Sequence, residues 1–173
     1  MKHIILFLFA VILSAKSFSQ PQPEEVTSKN SWLKVGLNGG IPFGDLSDIS
    51  SFILGIELKG QLMSTKHLGI GITTGYNHFF PENGYDNFGT IPLGGFLRYY
   101  PKSTGFFAGV DLGYSFLIGV SGATGGVYTR PQLGYHNYNW NVFVFYNGIF
   151  RNQDDAGNLQ YVGIGATRNI RFR

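Results

Sequence analysis

Between Phe52 and Leu62 the chain alternates with a period of two. Phe52, Leu54, Ile56, Leu58 and Leu62 fall on one parity, and Gly55, Glu57, Lys59 and Gln61 on the other. Successive side chains of a strand point to opposite faces, so the pattern predicts a β-strand with one oily and one polar face. From Trp32 onward this period recurs, and no amphipathic helical period competes with it. Strands are predicted over residues 32–41, 52–62, 68–79, 91–100, 106–120, 127–136, 140–150 and 159–172. In the sixth of these, Pro131 lowers the regularity. The seventh contains Val142-Phe143-Val144-Phe145, apolar on both parities, and the pattern leaves its orientation open. On the last strand Arg168 sits on the oily parity, which implies headgroup depth or a bulge.

Tight turns at 64–66, 101–104 and 137–139 alternate with longer ones at 43–48, 81–89, 121–126 and 154–158. Alternating short and long connections between strands of about 10 residues are the arrangement of a small outer-membrane barrel. The predicted fold class is therefore all-β, an eight-stranded antiparallel transmembrane up-and-down β-barrel. Closure is obligatory, because hydrocarbon cannot satisfy the polar groups of an open sheet edge.

A soluble sandwich also alternates, so the orientation of the two faces needs a separate argument. The polar parity is dominated by glycine and by charge: Lys34, Glu57, Lys59, Arg98, Asp111, Arg130 and Arg171. Inside a barrel of about eight strands there is room only for side chains, and small residues must sit beside long ones. Those seven residues are expected to form a luminal charge network, with Glu57 and Asp111 pairing the cations. Aromatic residues gather near strand ends. Trp32, Tyr99, Phe106, Tyr138, Trp140 and Phe172 are expected to form a girdle at the tight-turn end, and Phe43, Phe79, Phe80, Phe88 and Phe150 a second girdle at the loop end.

The first residues are expected to stand outside the fold. Lys2 precedes an unbroken apolar run over residues 4–13, followed by small residues at Ser17 and Ser19, which reads as a signal peptide over 1–19. The apolar run is short of the roughly 20 residues a spanning helix needs. Residues 20–31 carry Pro21, Pro23 and charges and read as a flexible leader, leaving 32–173 for the barrel. Removing the signal takes Lys2 and Lys16 from the 13 cationic residues, leaving 11 against 10 acidic ones, and nothing favours nucleic acid. With no cysteine the chain has neither a disulfide nor a lipidation site. Its 25 glycines, 16% aromatic and 13% charged residues suit tightly packed strands, since globular proteins average about 25% charged.

Chemistry is sparse. His78 and His136 lack a serine-and-acid grouping in sequence, and no catalytic residue is assigned. Gly69-Ile70-Gly71 and Gly163-Ile164-Gly165 lack the third glycine and following helix of a dinucleotide loop and read as small luminal residues. Asp45, Asp48, Glu82, Asp86, Asp154 and Asp155 fall in the longer loops as solvated charge. A sharper reading has them share divalent cations with lipopolysaccharide phosphates, although no calcium-loop spacing is present. No metal site and no cofactor are expected.

The run Arg130-Pro131-Gln132-Leu133-Gly134-Tyr135, then Trp140-Asn141-Val142, Tyr146, Gly157 and Tyr161-Val162-Gly163-Ile164-Gly165 resembles the C-terminal half of small outer-membrane β-barrel proteins of the Bacteroidetes type. The segment from Phe107 to Tyr114 also looks like theirs, and the wider class is similar to OmpX/OmpA-type barrels. This resemblance implies an integral outer-membrane protein without cofactor and carries over no catalytic residue. The expected role is structural or in surface interaction, with a packed polar lumen. A narrow porin-like channel is the alternative, and a lipid-modifying enzyme a more distant one. Expected partners are outer-membrane lipids, lipopolysaccharide and the barrel-assembly machinery, with the chain monomeric.

Overall fold

The computed structural model describes residue 27 and residues 33–82, 84–120, 122, 124–151 and 157–170. The expected signal peptide and the leader, apart from Thr27, lie outside these residues, as do Trp32, Asp154, Asp155, Arg171 and Phe172. Among the described residues eight strands are present: β1 (Leu33–Phe43), β2 (Ser50–Met63), β3 (Leu68–Pro81), β4 (Phe88–Tyr99), β5 (Gly105–Ile118), β6 (Gly126–His136), β7 (Trp140–Phe150) and β8 (Leu159–Ile170). Each pairs antiparallel with its sequence neighbours, and β1 pairs with β8, so the sheet closes on itself. The fold is an eight-stranded, all-antiparallel up-and-down β-barrel. A short 3-10 helix (Gly44–Asp48) fills the β1–β2 connection.

Period-two alternation fixes which side chains enter the lumen. On β2 Ile53, Gly55, Glu57, Lys59 and Gln61 are buried, while Phe52, Leu54, Ile56, Leu58 and Leu62 stand on the outside. The other strands repeat this. Leu37, Ile72, Leu112, Leu133, Val144 and Ile164 are each more than half exposed on the outer wall.

Several boundaries and orientations differ from the sequence expectation. Strand β4 begins at Phe88, three residues before the predicted start, because Phe88, Gly89 and Thr90 already pair with β3. Strand β7 takes a definite orientation: Asn141, Phe143, Phe145 and Asn147 turn inward and Val142 and Val144 outward. Arg168 marks no bulge, since its register runs unbroken to both neighbours; it sits outside with its guanidinium 5.8 Å from the Trp140 ring. The register shift between β2 and β3 lies instead at Ser50/Phe52.

Candidate functional site

The lumen is where this chain gathers its polar chemistry. Lys34 on β1, Glu57 and Lys59 on β2, Arg98 on β4, Asp111 on β5 and Arg130 on β6 all reach it, each at most 5% exposed. Cross-strand register brings the acids to their partners. Asp111 faces Arg130 directly across β5–β6, yet its carboxylate reaches over the lumen to Lys59, with Nζ 2.5 Å from Oδ2. Arg130 turns to Glu57 instead, at 2.9 Å. Gln132 joins the groups: its Nε2 donates to Asp111 Oδ1 (2.7 Å), and its Oε1 accepts from Arg98 Nη2 (2.8 Å). A continuous chain therefore runs Lys59–Asp111–Gln132–Arg98, with Glu57–Arg130 beside it.

Aromatic rings insulate these ions. The Arg130 guanidinium lies 3.7 Å from the centre of the Phe145 ring, and that of Arg98 lies 4.9 Å from Phe107 and 5.5 Å from Phe143. A desolvated cation gains on the order of 2 kcal/mol from such a ring. Glycines make the room. A Cβ on Gly165 would lie 2.6 Å from the Phe143 ring, and one on Gly134 2.8 Å from Phe107. The charges were legible in the sequence, but this sheath was not. Phe96, Phe107 and Phe145 share the inward parity with Arg98, Asp111 and Asn141 of their own strands, and that parity was the available signal.

Towards the tight-turn end the lumen is polar, without carboxylates among the described residues. Lys34 Nζ donates to Asn169 Oδ1 (2.7 Å), which also accepts from Asn141 Nδ2 (2.9 Å). Tyr100 donates to Gln61 Oε1 (2.8 Å), and His136 Nε2 donates to the Lys102 carbonyl (3.1 Å). Towards the loop end the lumen becomes apolar, against the expectation of a polar core throughout. Leu46, from the 3-10 helix, packs with Ile53, Phe79, Phe88, Ile149 and Leu159, all buried in one cluster. Phe79 and Phe88 stack 4.5 Å apart, and Tyr161 meets Phe79 edge-on at 5.8 Å.

This plug corrects the girdle expected at the loop end. Phe79 and Phe88 close the lumen rather than facing outward, because their parity is that of Asn77 and Thr90. Phe43 and Phe150 do face outward, and Phe80 stacks on Phe52 at 4.1 Å. At the tight-turn end Tyr99, Phe106 and Trp140 stand on the outer wall, with Phe106 80% exposed.

Above the plug, on the loop side, lies a recess of about 520 Å³ lined by Tyr85, Phe88, Leu117 and Leu159 with Asp86 and Arg151. Arg151 Nε and Nη2 both donate to the Gly157 carbonyl, at 3.1 and 2.7 Å. His78 meets Tyr76 Oη at 3.1 Å and Asn87 Oδ1 at 3.2 Å, so a phenol and an amide neighbour it. Among the described residues no three metal-ligating side chains converge.

No protein-family model matches this chain, and no curated protein does. Its fold is similar to that of the N-terminal β-barrel domain of Pseudomonas aeruginosa OprF, with a TM-score of 0.51 at 13% identity over 82% of this chain and 98% of that one. The outer membrane protein OprG from Pseudomonas aeruginosa overlaps 85% of this chain and 100% of its own, at 12% identity and a TM-score of 0.47.

Proposed function

We propose that the chain is an integral protein of the bacterial outer membrane with a structural or surface-interaction role, rather than an enzyme. The observation that carries this reading is the inversion of the barrel: most of its strand ions are inside and most of its large aliphatic side chains outside. Lys34, Lys59 and Arg98 are at most 1% exposed, whereas Leu37, Ile41, Ile72 and Ile164 are between 66% and 70% exposed. Soluble monomers rarely expose contiguous apolar patches beyond a few hundred Å². Here the apolar wall is supplied by every strand, and lipid is the solvent that suits it. The lumen has no role as a passage in this reading, because ion pairs, aromatic rings and the apolar plug obstruct it.

Interaction falls to the loop end, where the recess beside Asp86 and Arg151 opens outward. Lipids and lipopolysaccharide surround the belt, the barrel-assembly machinery inserts the chain, and it works as a monomer. The motifs around Arg130–Tyr135 and Tyr161–Gly165 support kinship with the Bacteroidetes type of small barrel. A narrow channel is the second reading, favoured by the excess of luminal cations and opposed by the plug. Planar-bilayer recording of the refolded chain separates the two. The structural reading expects a silent bilayer, and reproducible single-channel steps would replace it with the channel.

A further inference from the structure

The described lumen holds four buried cations, Lys34, Lys59, Arg98 and Arg130, and two buried carboxylates. Asp111 and Glu57 are taken by Lys59 and Arg130. Lys34 and Arg98 are left without a carboxylate among the described residues, and both are essentially unexposed. Their hydrogen bonding is also incomplete. Arg98 Nη2 donates to Gln132 and the guanidinium also meets the Tyr100 phenol, while Nε and Nη1 are buried with no acceptor in hydrogen-bonding geometry. Lys34 Nζ, with three hydrogens to give, has the Asn169 amide oxygen.

These two cations belong to one region of the lumen. The Phe107 ring lies 4.9 Å from the Arg98 guanidinium and 6.1 Å from the His136 ring, and Asn141, which pairs with His136 across β6–β7, shares the Asn169 amide oxygen with Lys34. The groups lining that region from the packed strands are Lys34 from β1, Gln61 from β2, Arg98 from β4, His136 from β6 and Asn141 from β7, with Tyr100 just beyond β4. Gln61 Oε1, the Asn169 amide oxygen and the Lys102 carbonyl already accept hydrogen bonds there. The region is thus rich in donors and short of acceptors. Low surrounding dielectric makes unpaired charge and unpaired donors costly together.

We propose that the tight-turn half of the lumen binds a small monovalent inorganic anion such as chloride, held between the free guanidinium edge of Arg98 and the Lys34 ammonium. A compact ion suits the site better than an organic anion, since Phe96, Phe107 and Phe143 rings flank Arg98 and both cations are sealed from solvent. One bound anion supplies acceptors to Arg98 Nε and Nη1 and to Lys34. The anion completes the folded barrel as a structural ligand, stabilising it by mass action. The site does not depend on the membrane assignment.

Bromide is the probe. The full chain, refolded in detergent, is crystallised in sodium bromide and measured at the bromine absorption edge. An anomalous peak is expected within hydrogen-bonding distance of Arg98 Nε or Nη1 and of Lys34 Nζ. In parallel, the thermal midpoint is followed in sodium bromide and in sodium gluconate at equal ionic strength. A saturable upward shift in bromide is expected, lost in Arg98→Gln and in Lys34→Gln. No luminal bromide peak, with waters in its place, overturns the proposal, and so do equal midpoints in the two salts. Should Arg98→Gln fail to fold, the diffraction and salt comparisons on the unaltered chain still decide.

Discussion

Asp111 shows how much of the lumen hangs on single side chains. It neutralises Lys59 and accepts from Gln132, and through Gln132 it positions Arg98. Removing one member of a buried pair leaves an uncompensated ion and costs about 3–5 kcal/mol, whereas removing both is often nearly neutral. Asp111→Asn is therefore expected to lower urea-unfolding stability in lipid vesicles by about that amount, and the double variant with Lys59→Met to recover most of it. The small luminal residues act at the same scale. A methyl at Gly165 would push the Phe143 ring, which covers both Arg98 and Arg130. Gly165→Ala is expected to destabilise by about 1–3 kcal/mol in the same assay, the usual effect of overpacking. The charges themselves were legible in sequence as polar-parity residues. Which acid meets which cation was not, because pairing across a lumen depends on the register of strands distant in sequence: Lys59 and Asp111 are 52 positions apart.

Strand β7 marks where reading by period two runs out. Val142, Phe143, Val144 and Phe145 are all apolar, so neither parity looks polar over the strand's centre. The structure turns Phe143 and Phe145 inward, onto Arg130, and leaves the two valines outside. Asn141 and Asn147 share the inward parity, so the flanks held the information that the centre lacked. The orientation has a direct consequence in lipid. Val144→Arg places a cation on the outer wall near the middle of the strand, where about 2–4 kcal/mol of stability is expected to be lost. Arg168 pairs with Trp140, the first residue of β7, at the tight-turn end of the wall. Arg168→Leu is accordingly expected to change stability by no more than about 1 kcal/mol. Urea titration of both variants in vesicles reads the difference. The aromatic strand ends teach the same lesson: Phe79 and Phe88 looked like girdle residues by position, but parity carried them inward.

At the scale of the whole molecule the barrel is asymmetric along its axis. Ions and amides occupy its middle and tight-turn end, and an apolar plug occupies its loop end. The strand number, antiparallel order and alternation of short and long connections were all legible, since each is a local pattern repeated along the chain. The plug was not, because Leu46 enters it from a connecting helix and its other members come from five different strands. Replacing Phe79, Phe88 and Leu46 together by alanine is expected to lower urea-unfolding stability by several kcal/mol, because each truncation empties buried volume, while the ion pairs and rings of the middle keep the bilayer silent. The proposed membrane location follows from the inverted barrel. Fractionation of cells expressing the full chain, with the fractions run on denaturing gels boiled and unboiled, tests this most directly. The expected result is recovery in the outer-membrane fraction, with the unboiled band migrating apart from the boiled one. Recovery in the soluble periplasmic fraction with no difference on boiling would contradict it.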